Sequence, residues 1–184
     1  MTFLKIRVSP DPLDFATAMH TPETVVGIDI DLQPGHAIRR LHQISVGVFL
    51  QEMGDLGITP VQYAALQVVA NQPGIDQRTL ARTIALDAST TGGVVDRLEA
   101  RGWLERRTAR EDRRTRQLHI TPAGLDGLAL AVPAMLRAQE QILAPLSPVQ
   151  RQQFMSLLNT LVTENNELSR APSELTGKPS TAAV

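Results

Sequence analysis

Apolar residues recur at helical spacing along most of this chain, and the interruptions between runs are sharp. Ile38, Leu41, Ser45, Val48 and Phe49 share one face of a first helix predicted over roughly 35–55. The segment TPVQ opens a second: Thr59 is placed as N-cap, Pro60 suits the first helical position and Gln62 can return the capping bond. Tyr63, Leu66 and Val69 carry its apolar side, and Pro73-Gly74 stops it. A third helix starts at Asp76 and bears Leu80 and Ile84. A fourth starts near Asp87, whose carboxylate can cap the amide of Thr90; it bears Val94, Val95 and Leu98 and ends at Gly102. WLERRT and RQLHIT then read as two short strands around a charged turn. A fifth helix follows from Thr121-Pro122, with a kink expected at Pro133. SPVQ (Ser147, Pro148, Gln150) repeats the opening of the second helix and starts a sixth, with Phe154, Leu157, Leu158, Leu161 and Leu168.

Three short helices followed by a hairpin form the winged helix-turn-helix pattern, so the predicted fold is mainly α, with a DNA-binding unit over 58–124. Segments 35–57 and 125–170 supply helices with apolar faces that one small winged domain cannot bury alone; they read as a dimerisation domain. Residues 1–34, broken by Pro10, Pro12, Pro22 and Pro34, read as an N-terminal arm that packs on a partner, as a disordered segment, or as the product of an upstream start. Residues 171–184 have the composition of a disordered tail.

Composition narrows the classes. Among the 184 residues, 42% are hydrophobic but only 3% aromatic, which favours a Leu, Val, Ile and Ala core over a β-sandwich. With no cysteine there is no disulfide framework, thiolate metal site or thiol nucleophile. The N-terminus shows no basic-then-apolar leader and no apolar run reaches membrane-spanning length, so the expectation is a soluble cytoplasmic protein. The four histidines are scattered, and no HExxH, P-loop or Gly-x-Ser-x-Gly motif is present. Neither catalytic residues, a cofactor nor a metal site is expected. His119, alternating with Leu118 and Ile120, is expected to face solvent.

Charge adds a sharper signal. The formal net charge is only -1, but residues 58–125 carry 10 basic and 7 acidic residues, and every basic one is Arg. Seven of them, Arg101, Arg106, Arg107, Arg110, Arg113, Arg114 and Arg116, crowd around the predicted hairpin. A guanidinium suits phosphates and narrow grooves. Arg113, Arg114 and Arg116 are the candidates for phosphate or minor-groove contact, and Asp112 is a candidate wing-positioning residue paired with an arginine such as Arg97. In the fourth helix, Ser89, Thr90, Thr91, Gly92 and Arg97 are candidate DNA-binding residues, with the free amides of its first turn available to phosphate. Gly92 and Gly93 each cost a helix about 1 kcal/mol relative to Ala. A close approach of backbone to DNA, or of helix to helix, would account for them.

The spacing Asp112-x-Arg114, Leu118, Ile120, Thr121, Gly124 resembles the wing pattern of the MarR (multiple antibiotic resistance regulator) family, and VVDRLEARGWLERR resembles that family's recognition-helix exit. The resemblance covers roughly 35–168. It implies a homodimer whose first, fifth and sixth helices interleave and whose recognition helices address a pseudo-palindrome. Residues 59–102 further resemble the repressors of aromatic-acid degradation, in particular regulators of nicotinate breakdown that respond to 6-hydroxynicotinate. This chain departs from them in the first recognition turn, where Ala88 or Ser89 stands in place of an expected Arg.

The family often binds small anionic aromatics between its dimerisation helices and winged domain. On the first helix, His36, Arg40, Gln43 and Gly47 form one stripe. A cation, an imidazole and an amide beside a glycine can hold an aromatic carboxylate, with Tyr63 as a further wall. The resulting expectation is a double-stranded-DNA-binding repressor released by a small aromatic carboxylate. The alternatives are a winged-helix protein-interaction module or a MarR regulator of another phenolic or stress signal.

Overall fold

The computed structural model describes residues 29–108 and 116–173. Two units make up the chain, residues 1–41 and 42–184. In the first, the Asp29 carboxylate accepts the Asp31 N–H and caps a 3-10 turn, Ile30–Leu32, before helix α1 (Pro34–Met53) begins. α1 runs on into the second unit and ends in a further 3-10 turn, Gly54–Leu56, closed by Gly57 at φ 56°. A left-handed residue stops a helix, and glycine adopts it without steric cost.

The second unit continues with α2 (Pro60–Asn71), α3 (Gln77–Thr83), α4 (Ala88–Ala100), strands β1 (Leu104–Thr108) and β2 (Arg116–Ile120), α5 (Pro122–Leu143) and α6 (Pro148–Glu164). All six predicted helices and the hairpin are present in the predicted order. α2 and α6 open with the same closed capping box. Thr59 Oγ1 accepts the Gln62 N–H at 3.3 Å while Gln62 Oε1 accepts the Thr59 N–H at 2.9 Å, and Ser147 and Gln150 do the same at 3.4 and 2.9 Å. α5 carries Pro133 within one 22-residue helix; Pro133 is exposed, and so is Ala129, whose carbonyl it cannot serve.

β1 and β2 pair antiparallel, from Leu104 opposite Ile120 to Thr108 opposite Arg116. The α2–α3 loop adds an isolated β-bridge to this two-stranded sheet, which the sequence pattern did not announce. The Gly74 N–H donates to the Leu118 carbonyl and the Leu118 N–H to the Ile75 carbonyl, both at 2.9 Å, with Asp76 bridging Gln117. This brings Gly74 against the His119 ring, and His119 is half-buried rather than solvent-facing.

The core gathers Ile58, Leu66, Val69, Leu80, Val95, Leu98, Leu104 and Leu118, with Phe49 and Met53 from the end of α1. Of the face predicted for α1, Phe49 is buried, whereas Ile38 and Leu41 are exposed. α6 buries none of its residues: Phe154 and Leu158 are half-covered, and Leu157 and Leu161 are open.

Trp103 joins the hairpin to α5. Its N–H donates to the Leu98 carbonyl and its carbonyl accepts the Thr121 N–H at 3.0 Å. The Thr121 hydroxyl donates to the Gly102 carbonyl at 2.6 Å and accepts the Gly124 N–H at 3.0 Å. A Cβ on Gly124 would stand 2.1 Å from the Trp103 carbonyl oxygen, and one on Gly127 would stand 2.6 Å from the indole. The Thr-x-x-Gly spacing is therefore a steric requirement of this seat.

Gly124→Ala should destabilise the protein by about 2 kcal/mol or more, because backbone must move to admit the methyl group. Urea denaturation checks this; an unchanged midpoint would show that α5 is not held against Trp103.

Candidate nucleic-acid interface

α4 begins at a fully engaged cap. Asp87 accepts the Thr90 N–H at 2.8 Å and the Thr90 hydroxyl at 2.6 Å. The Thr90 side chain and these amides hold the Asp87 carboxyl below its ordinary pKa. Ser89 and Thr90 are exposed on the first turn. Thr91 is not: it is completely buried and its hydroxyl donates to the Asp87 carbonyl at 2.9 Å. This corrects the expectation that Thr91 meets DNA. One residue further along a helix rotates the side chain by about 100°, here into the core.

The two glycines have different neighbours. A Cβ on Gly92 would come 3.3 Å from Gln77 Nε2, so Gly92 faces α3. A Cβ on Gly93 would meet the Arg97 guanidinium at 3.5 Å, so Gly93 leaves room for that side chain to lie along its own helix. Arg97 itself is exposed.

The arginine crowd divides. The Arg101 guanidinium lies 3.8 Å from the centre of the Trp103 ring, a cation–π stack. Arg107 pairs with Glu105. Arg106 turns inward: it pairs with Glu99, with Asp96 at 2.6 Å and with the Gln77 side-chain oxygen at 3.2 Å. Burial pulls its pKa down, but the hydrogen bonds to Asp96 and Glu99 outweigh this and carry it above the usual value. Arg116 is exposed at the end of β2. Arg110, Asp112, Arg113 and Arg114 lie outside the described residues, as does the expected pairing of Asp112 with Arg97.

Sequence reasoning missed two features here. The inward turn of Arg106 was legible in strand alternation: it stands two residues after buried Leu104 and opposite buried Leu118. The other is a groove of about 590 Å³ beside the start of α4, carrying Arg78 and Arg82 of α3 and Arg170 of the segment after α6. No periodicity would bring Arg170 there.

The expected ligand residues are placed as follows. His36 lies on α1 with Nδ1 3.4 Å from Arg39 Nη2 and Nε2 3.9 Å from Asp31. Arg40 and Gln43 are exposed on the same helix. Tyr63 is half-buried, its hydroxyl donating to Gln67 at 3.3 Å and its ring edge-on to Phe49, and burial raises its pKa. Among the described residues no group of three or more metal-ligating side chains converges, and no helix is long and apolar enough to cross a membrane.

Known proteins place this geometry. The model of the MarR family matches residues 56–115. The chain is 31% identical over 127 residues to the transcriptional regulator HosA of Escherichia coli, spanning 69% of this chain and 93% of HosA. The chain belongs to the MarR family. It is a regulator of transcription and not an enzyme, with the winged helix-turn-helix fold and the DNA-binding character of that family. It is also 39% identical over 111 residues to a Thauera aromatica protein described as "Putative transcriptional regulatory protein for hcr operon", covering 60% of this chain and 67% of that one. Among solved structures it resembles Bordetella bronchiseptica BpsR, whose DNA binding is regulated by 6-hydroxynicotinic acid (TM-score 0.69, 27% identity, 73% of this chain and 96% of that one). It also resembles the transcriptional repressor CouR bound to a 23-mer DNA duplex (TM-score 0.69, 25% identity, 74% and 99%).

Asp76 caps α3 as Asp87 caps α4. It accepts the Thr79 hydroxyl at 2.7 Å and the Arg78 and Thr79 amides at 2.9 and 3.0 Å. The Thr79 hydroxyl is the leading cause of its lowered pKa, which the partial burial opposes. A carboxylate with a depressed folded pKa contributes stability above its unfolded pKa and loses it as pH falls through the folded one. Asp76→Ala should therefore cost about 1 kcal/mol at pH 7. The difference from the native protein should shrink as acid denaturation is followed below the ordinary carboxylate pKa of about 4. A difference independent of pH would show that the charge on Asp76 is not what caps α3.

Proposed function

We propose that this MarR-type regulator is a homodimeric repressor that reads a pseudo-palindromic operator and releases it on binding a small aromatic carboxylate. The observation that carries the DNA half is the exposed first turn of α4, standing over a fixed cap beside a hairpin whose second strand starts at exposed Arg116. In this reading α4 lies in the major groove. Ser89 and Thr90 meet base edges or phosphates, and Thr90 accepts because its proton is held by Asp87. Arg97 reaches the backbone. Arg113, Arg114 and Arg116 follow the wing into the adjacent minor groove, with Asp112 steadying its tip. Gly92 supports the docking of α4 on α3 and touches no DNA.

The dimer follows from apolar surface. Ile38, Leu41, Ile44 and Leu50 on α1, Leu125, Leu130 and Leu136 on α5, and Val149, Met155, Leu157, Leu161 and Val162 on α6 are all exposed in the single chain. Apolar side chains left exposed in such number mark an interface. A two-fold pair would set two α4 helices roughly 34 Å apart, one turn of duplex.

The ligand half rests on the α1 stripe, with Arg40 as the cation for a carboxylate, His36 and Gln43 as hydrogen-bonding groups and Tyr63 as an aromatic wall. The likeness to BpsR favours 6-hydroxynicotinate as the effector. A ligand that binds better to a dimer with displaced recognition helices lowers DNA affinity by that difference.

Fluorescence anisotropy on a duplex selected by the protein from a random pool tests the reading. Native protein should bind with steep salt dependence. Arg97→Ala should weaken binding and reduce the slope of log affinity against log salt by about 1. Adding 6-hydroxynicotinate should release the DNA from native protein but not from Arg40→Ala. Equal release from that variant would move the ligand away from α1, and salt-independent binding would set aside the phosphate contacts.

Sedimentation equilibrium tests the assembly. The pair Leu157→Glu and Leu161→Glu should convert dimer to monomer, since burying each leucine is worth about 2 kcal/mol and each change occurs twice. A dimer that survives both changes would place the interface elsewhere.

A further inference from the structure

We infer that Arg106 is a positioning residue that fixes the angle between the recognition helix and the wing, and that it makes no phosphate contact although it sits in the arginine-rich region. This rests on the DNA-binding reading of α4 and extends it to a residue with no part in contact. Arg106 is in the middle of β1, its side chain only 20% exposed. One guanidinium joins three elements: Asp96 and Glu99 lie one turn apart on α4, Gln77 opens α3, and Arg106 itself belongs to the wing. The Arg106 N–H also donates to the second Glu99 oxygen at 3.2 Å, so backbone and side chain of one residue hold the same carboxylate. Gln77 is in turn seated over Gly92, where a Cβ would approach to 3.3 Å. The planar fork of Arg serves several acceptors at once; the point charge of Lys cannot.

Two acidic residues on the DNA-reading helix are otherwise a liability, because phosphate repels them. Their pairing with Arg106 gives them a use that charge alone does not. This makes the sign of the test informative. Asp96→Asn with Glu99→Gln removes two negative charges from the DNA-facing unit. Were Arg106 a phosphate contact held back by these acids, the double variant would bind DNA more tightly and with a steeper salt slope. As a positioning residue it loses its anchors, and affinity should fall on the order of tenfold with the salt slope unchanged, because contact groups need to be held within about 0.5 Å.

The experiment measures affinity, salt slope and DNA-active fraction for native protein, the double variant and Arg106→Lys, on a duplex selected by the native protein. The expected result is weaker binding by both variants, unchanged slope and full active fraction, with Lys giving no rescue. Tighter or equal binding by the double variant overturns the inference, as does Arg106→Lys binding like native protein. A fall in active fraction or in helical content for both variants also overturns it, since Arg106 would then hold the fold and not the reading angle. Native protein that selects no duplex would remove the DNA reading itself, a distinct outcome.

Discussion

The seat of α5 on Trp103 is the constraint from which the rest of the winged unit follows. One residue there fixes three directions. Its amide continues the exit of α4 through Leu98, its carbonyl receives Thr121 at the start of α5, and its ring covers Gly127 and carries the Arg101 guanidinium. None of these bonds is strong alone, each contributing about 1 kcal/mol net. Their effect is geometric. With the carbonyl 2.1 Å from where a Gly124 Cβ would be, no other helix position and hardly another residue type fits. The recognition helix, the root of the hairpin and the long helix are thereby placed by one indole and its own peptide group.

The arginine-rich region has two opposite uses, and net charge does not distinguish them. Arg101, Arg106 and Arg107 meet an indole, two carboxylates with an amide, and a neighbouring carboxylate. Arg97 and Arg116 stand in solvent. The first group is held by neighbouring side chains, and the second leaves its charge exposed on α4 and on β2. A single-sign surface would attract DNA at many angles; a hairpin braced on the recognition helix presents its charges at one angle. In protein–DNA complexes phosphate contacts supply affinity and set register, and on the proposed reading the bracing would hold that register.

Much of this was legible in the sequence because local chemistry decides it. The capping boxes at Thr59 and Ser147 and the Asp caps at 76 and 87 close within three residues, so their spacing alone forecasts them. Tertiary contacts were less legible. The bridging segment at Gly74 and Ile75 is too short for any period, and only its pairing with Leu118 defines it. Thr91 has the composition of a contact residue, but its rotation about α4 puts it in the core. Groups that act through residues far along the chain, such as Gln77 with Arg106, leave no spacing to read. Apolar faces were visible as faces, although which of them a single chain covers was not: α6 has Leu157, Leu158 and Leu161 as predicted and buries none of them, while the predicted Leu168 lies beyond its end in a 3-10 turn, Asn166–Leu168.

α5 connects the two halves of the mechanism. Near its end Glu52 of α1 accepts from Arg137 at 2.7 Å and from the Gln141 amide, and at its start Thr121, Gly124 and Gly127 close on Trp103. This helix of 22 residues is about 33 Å long and carries Pro133 between those two contacts. In the proposed repressor, a displacement of α5 would reach the hairpin root through Thr121 and Trp103, and α4 through Leu98. On the proposed mechanism, an effector that binds beside α5 would need only a differential affinity for two placements of this helix.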